Sequence, residues 1–234
     1  DKVFITAENR PEWAIADLAI MAIGAVCVPA FVTNTEDDFY YIMSHSDSVV
    51  GITSGGALAE TVARAAAQSS DLKTLLVMDS ENSPRGSKNL NVLSWAEEMS
   101  KASPMAGLDE VVAGLDSDDT CCFIYTSGTG GRPKGVMLTH KSIQANITAA
   151  IALLEEGNVA DDQRFLSLLP LSHSYEHTAG MHLPFQTRSE VWYCESAEQI
   201  ANNLQEVSPT LMTAVPRLYE VLHDRITRGV KAKG

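Results

Sequence analysis

The sequence predicts an α/β fold of mostly parallel sheets flanked by helices, and three observations predict it. Short apolar, strand-like runs alternate with helical patterns almost throughout the chain. The longest apolar stretch, residues 13–32, is interrupted by Asp17 and then broken at Gly24 and Pro29, so it reads as a helix followed by a strand. Hydrophobic residues make up 45% of the 234, enough to bury a real core.

The elements follow in order. Val3-Phe4-Ile5-Thr6 reads as a strand, and it follows Asp1 so directly that the sequence is expected to begin inside a longer chain, with no signal peptide left on it. Pro11 suits the first turn of a helix, where its missing N–H costs nothing, and Trp13, Ala16, Leu18 and Met21 carry that helix to Gly24. A strand over 26–30 follows. Thr35 with Asp38 three residues on has the spacing of a helix cap, leading into Phe39, Ile42 and Met43 on one face and then a strand over 49–53. A helix over 57–67 and a strand over 74–78 complete this run. Residues 79–119 are rich in Ser, Asn, Pro and Gly, with one short helical piece around Trp95. They read as a connector between two lobes, 1–117 and 118–234. The pattern then restarts with a strand over 121–126, a glycine-rich turn, a helix over 139–156 and a strand over 165–169. A helix over 178–184, a strand over 191–194, a helix over 197–207, a strand over 210–215 and a last helix from Pro216 close the chain.

Charge and cysteine usage narrow the function classes. Seventeen Lys and Arg against thirty Asp and Glu leave a net charge of −13, which opposes binding to a phosphate polymer. Nucleic acid is excluded as a partner on this ground. Cys27, Cys121, Cys122 and Cys194 show no C-x-x-C spacing, so they suggest neither a zinc site nor a disulfide framework, and a reducing, cytosolic setting is expected.

The most informative segment is Tyr125-Thr126-Ser127-Gly128-Thr129-Gly130-Gly131-Arg132-Pro133-Lys134-Gly135, directly after an apolar strand. Gly128, Gly130 and Gly131 free the backbone to converge N–H groups on an anion. Thr126, Ser127 and Thr129 offer hydroxyls for phosphate oxygens or a magnesium ion, and Lys134 supplies a mobile positive charge. The two better-known phosphate loops do not fit. G-x-x-x-x-G-K-[ST] needs glycine where Pro133 stands and a hydroxyl where Gly135 stands, and G-x-G-x-x-G from Gly128 also meets Pro133. A mobile surface turn of small residues is the plain alternative.

A second segment, Leu169 through His177, carries His173, Glu176 and His177, with His182 five residues further on. The H-x-x-E-H spacing of His173, Glu176 and His177 matches a zinc-peptidase arrangement, although no third ligand stands out downstream. Hydrogen-bonded polar residues at a helix entry are the other reading.

The glycine-rich segment resembles the signature Tyr-Thr-Ser-Gly-Thr-Thr-Gly-x-Pro-Lys-Gly of the adenylate-forming acyl-CoA synthetases, agreeing at ten of eleven positions and departing at Gly130. Pro170-Leu171-Ser172-His173 is similar to the motif lining that family's acyl and adenylate pocket. Glu8-Asn9-Arg10-Pro11-Glu12-Trp13, Glu195-Ser196, residues 204–210 and Val215-Pro216-Arg217-Leu218-Tyr219-Glu220 look like the long-chain fatty acyl-CoA synthetases. Where those relatives commonly have Arg after the Glu, this chain has His177.

The resemblance implies part of the large N-terminal domain of the adenylate-forming fold. It implies that Thr126, Ser127, Gly128, Thr129, Gly130, Gly131, Lys134 and Gly135 bind the β and γ phosphates of ATP, with Thr129 joining the Mg2+ shell. Lys134 and His173 are the implied catalytic residues, His173 shaping the place where the carboxylate meets the α-phosphate. Fatty acid, ATP and CoA are the implied partners, in the cytoplasm and with peripheral membrane association open. The adenine-binding Tyr-Gly-x-Thr-Glu segment, the ribose-binding Asp and the C-terminal domain with its catalytic lysine are not found in the sequence, so these 234 residues alone are expected not to turn over. A nucleotide-binding module without catalysis and, less favoured, a zinc hydrolase using His173, Glu176 and His177 are the alternatives.

Overall fold

The computed structural model describes all residues except 80, 82, 127–130, 158, 160–162, 197, 217, 221, 222, 224–226 and 228–234. Its first strand, β1 (Lys2–Thr6), has both faces buried: Val3 and Ile5 join one apolar cluster and Phe4 another. A strand covered on both sides needs helices on both sides, and the crossover connections supply them. After β1 come α1 (Pro11–Ala22), β2 (Val26–Pro29), α2 (Glu36–His45), β3 (Ser48–Thr53), α3 (Gly56–Gln68) and β4 (Thr74–Val77). Trp13, Ala16 and Ile20 of α1 pack with Val3 and Ile5, whereas Phe39, Ile42 and Met43 of α2 and Val62 and Ala66 of α3 pack with Phe4.

The local signals hold the helices where the sequence placed them. Pro11 opens α1. Thr35 caps α2 with a reciprocal capping box, its side chain accepting from the Asp38 N–H while the Asp38 carboxylate accepts from the Thr35 N–H. Thr139 and Ser142 form the same device at the start of α6 (His140–Glu156).

Two strands complete the first sheet beyond those the sequence revealed. β5 (Asn91–Ser94), followed by α4 (Trp95–Lys101) and α5 (Leu108–Ala113), lies inside the expected connector. β7 (Lys134–Thr139) returns antiparallel along β6 (Thr120–Thr126), where only a turn was expected before the helix. The sheet therefore has seven strands in the order β5-β4-β3-β1-β2-β6-β7, with β7 antiparallel to its neighbour and every other pairing parallel. The expected division at 117/118 does not coincide with a change of sheet, because β6 and β7 belong with β1 to β5.

The change of sheet comes after α6. β8 (Arg164–Ser167), β9 (Glu190–Tyr193) and β10 (Leu211–Met212) form a parallel three-stranded sheet in the order β10-β8-β9. Its last strand is much shorter than the 210–215 expected. Leu166, Cys194, Ile200 and Val207 form its own core with α8 (Ile200–Val207), and Phe165 joins the cluster on the α1 side of the first sheet. Between β8 and β9, the expected helix over 178–184 is a π-helical segment, Glu176–His182, continued by the short α7 (Leu183–Gln186). Among the described residues no helix is long and apolar enough to cross a membrane.

Candidate functional site

The glycine-rich segment is the connection of the β6–β7 hairpin. Its two limbs meet where Thr126 and Lys134 stand opposite each other in register, both exposed. Ser127, Gly128, Thr129 and Gly130 lie outside the described residues, and with them the expected magnesium ligand Thr129. The described remainder shows how the hairpin is held. Tyr41 on α2 donates a hydrogen bond of 2.9 Å to the Pro133 carbonyl, and the Arg132 guanidinium lies 5.0 Å from the Tyr41 ring centre. Tyr125 shares a 2.8 Å hydrogen bond with His45, also on α2, and burial pushes its phenol up to about 12, so it stays protonated. Gly131 has a φ of 135°, a conformation that side chains disfavour. At Gly135 a Cβ would come within 3.2 Å of the Tyr125 ring.

This hairpin leaves the carboxyl end of β6, which runs parallel to β2 through the Cys27–Cys122 pair. In open parallel sheets ligands bind beyond the carboxyl ends of the strands. That edge faces a cavity of about 420 Å³. Its walls are the segments that follow β1 (Glu8, Asn9), β2 (Phe31, Thr33), β8 (Leu168, Ser172) and β9 (Glu195, Ser196), so the carboxyl ends of both sheets open onto the same space. Asn9 joins them. Its amide donates to the Leu169 carbonyl at 2.7 Å and to Ser167 Oγ at 3.1 Å, and its side-chain oxygen accepts from the Leu171 N–H at 3.0 Å. The sequence carried Asn9 only as part of a resemblance; its role depends on a partner 160 residues away, which no local pattern reveals.

His173 sits just after that stapled turn, its N–H donating to the Pro170 carbonyl and its Nδ1 accepting from the Tyr175 N–H. It is exposed, and it is not among the residues that line the cavity of about 420 Å³. Glu176 and His177 are fully buried and point elsewhere. Glu176 accepts from Ser167 Oγ at 2.7 Å and from the Thr213 hydroxyl, and burial raises its carboxyl, partly offset by these bonds. His177 turns to Asp17 of α1, with Nε2 3.1 Å from the carboxylate. Burial alone would push this imidazole down, but the facing carboxylate reverses that and lifts it to about 9. His182 also faces Asp17, at 3.4 Å. The structure thus scatters the trio of the less favoured zinc alternative: His173 is at the surface, Glu176 is committed to Ser167 and Thr213, and His177 is committed to Asp17.

Comparison with known proteins places this geometry in context. A family model described as "AMP-binding enzyme" matches residues 1–233. Long-chain-fatty-acid–CoA ligase FadD15 of Mycobacterium tuberculosis is 31% identical over 228 residues, covering 96% of this chain and 36% of that protein. The chloroplastic long-chain-fatty-acid–[acyl-carrier-protein] ligase AEE15 of Arabidopsis thaliana is 30% identical over 242 residues, 99% of this chain and 33% of the relative. The crystal structure of the N-terminal domain of FACL13 from Mycobacterium tuberculosis superposes with a TM-score of 0.73 at 21% identity, over 94% of this chain and 51% of that one. The chain spans about a third of the length of these curated relatives.

Proposed function

Because the chain belongs to the family of AMP-binding enzymes, we propose that the protein containing it activates a long-chain fatty acid with ATP and transfers the acyl group to CoA. A carboxylate is a poor electrophile. In the first step a carboxylate oxygen bonds to the α-phosphorus of ATP and the bond to the β-phosphate oxygen breaks, giving acyl-AMP and pyrophosphate. In the second the thiolate sulfur attacks the acyl carbon, and AMP leaves with the electrons of the broken carbon–oxygen bond. The observation that carries this reading is the β6–β7 hairpin. It holds Lys134 against Thr126 at the carboxyl edge of the first sheet, with the hydroxyl-and-glycine segment strung between them.

In this reading Lys134 neutralises charge on the β and γ phosphates, and N–H groups and hydroxyls of 126–131, with Gly135 behind them, wrap the same phosphates. Tyr41 and His45 of α2 hold the described limbs of the hairpin at Pro133 and Tyr125. Thr129 is the residue that would hold Mg2+, which supplies further charge neutralisation. His173 shapes the place where the acid meets the α-phosphate, on a turn that Asn9 ties to the first sheet. Cytoplasmic location, with peripheral contact to a membrane carrying the fatty substrate, accords with the proposal.

The test is pyrophosphate exchange into ATP by the complete protein. Exchange that depends on added palmitate supports the reading, and exchange absent at every fatty acid tried, with nucleotide still bound, would leave a binding module. These 234 residues alone are expected to form no acyl-AMP. Assaying CoA against acyl carrier protein then identifies the thiol, since AEE15 is named for the latter.

A further inference from the structure

The π-helical segment Glu176–His182 brings together a cluster for which the proposed reaction has no use. His177 and His182 are five residues apart. On an α-helix that spacing would turn them about 140° away from each other. With i→i+5 hydrogen bonding the same spacing stacks them, and the two rings stand edge to face with centres 4.8 Å apart. Asp17 reaches this pair from α1, and one ligand atom from each of the three residues lies within 4.8 Å of the other two. Among the described residues this is the one group of three or more such side chains with that spacing.

Burial makes the cluster unusual. The Asp17 and His177 side chains are wholly buried and that of His182 is 11% exposed. Yet Asp17 Oδ2, His177 Nδ1 and His182 Nε2 lack a hydrogen-bond partner among the described residues. Buried polar atoms without a hydrogen bond are costly, and two of these, Asp17 Oδ2 and His182 Nε2, meet only as an ion-pair contact at 3.4 Å. That separation is close to the edge of a tetrahedral metal shell with bonds of about 2.0–2.1 Å. Two imidazoles and one carboxylate are a donor set suited to zinc-like divalent ions rather than to magnesium or calcium. Cys27 and Cys122, paired across β2 and β6, lie beside Asp17 and His177 and give the site a polarisable wall. An entry path exists as well, because His182 lines a cavity of about 1040 Å³ walled by α1 (Leu18, Met21), α6 (Ile143, Ile147) and α7 (Phe185).

We propose that Asp17, His177 and His182 bind a zinc-class divalent cation that ties α1 to the π-helical segment. The site is distinct from the hairpin, leaves a fourth coordination position for water from the cavity at His182, and shares only His177 with the H-x-x-E-H spacing read from the sequence. It requires neither ATP nor the fatty acid, so it stands or falls independently of the ligase reading.

The complete protein, purified without a histidine tag, is analysed for bound metal, stripped, and titrated with Co2+. Expected are about one zinc ion per chain as purified, and on titration the visible d–d absorption of a four-coordinate Co2+ centre. His182→Gln should weaken Co2+ binding by about tenfold or more, whereas the surface variant His173→Gln should bind as the parent does. A folded parent protein with neither stoichiometric metal nor Co2+ absorption would overturn the proposal, leaving an ion pair alone, as would equal binding by parent and His182→Gln. Should His182→Gln not fold, metal content and the Co2+ spectrum of the parent decide the matter.

Discussion

At the scale of single residues, the ends of β1 and β4 are joined by a charge that the sequence displayed and did not explain. Arg10 donates to Glu12 and to Asp79, each at 2.8 Å, and Asp79 also accepts the Gly55 N–H at 3.1 Å. The Arg10 guanidinium holds both carboxyls below the usual carboxylate range, with burial working against it. A carboxyl with a depressed folded value contributes stability above its unfolded pKa and loses it as the pH falls through the folded value. Asp79→Asn is therefore expected to melt below the parent at neutral pH, by about 1 kcal/mol after allowance for solvent screening, with the gap closing as acid protonates Asp79 in the parent. Melting curves from pH 7 down into the acid range check this, and a gap that widens in acid would contradict it. Gly131 gives a second prediction. At its φ of 135°, Gly131→Ala should strain the hairpin by about 1–3 kcal/mol, though nothing lies within 4 Å of the added carbon. The effect should appear as a lower melting temperature and, in the proposed function, as weaker MgATP binding in a calorimetric titration; parental values of both would contradict it.

At the scale of elements, the π-helical segment is shaped by its one glycine. A Cβ at position 180 would fall inside the Glu176 carboxylate, which Ser167 and Thr213 hold in place. Gly180→Ala should destabilise the protein by about 1–3 kcal/mol through overpacking, read as a lower melting temperature, and an unchanged one would mean that this carboxylate moves freely. Nothing in the sequence around Gly180 announces such a turn, since periodicity distinguishes helix from strand and not one helical pitch from another. Other elements were legible for physical reasons. Pro11 and the Thr35–Asp38 box mark helix starts by local bonding, and strands buried on two faces, such as β1 and β3, show as apolar runs. The two strands missed, β5 and β7, are the two edges of the first sheet. Edge strands bury little: Val136 and Met137 of β7 are 45% and 67% exposed, and Asn91 of β5 is exposed. Their pattern was hidden by the polar connector in one case and by the glycine-rich segment in the other.

At the scale of the whole molecule, a mostly parallel sheet and a parallel one turn their carboxyl ends toward one cavity, and Asn9 ties them together. The fold class and the glycine-rich segment were legible in the sequence because both rest on neighbours in the chain. The Asn9 staple, the Asp17–His177 pair and the joining of β6 to β2 were not, because each links residues far apart in sequence. In the proposed function the net charge of −13 puts weight on Lys134, since an anionic nucleotide would have to be drawn to an acidic molecule by local cations and N–H groups. The central claim is that the β6–β7 hairpin grips the polyphosphate of ATP. It is tested most directly by palmitate-dependent pyrophosphate exchange in the complete protein carrying Lys134→Ala. The account predicts a loss of about a hundredfold or more in exchange rate with an unchanged melting temperature, because Lys134 is exposed and its charge acts on the reactant rather than the fold. Exchange at the parental rate in a folded Lys134→Ala protein would contradict it.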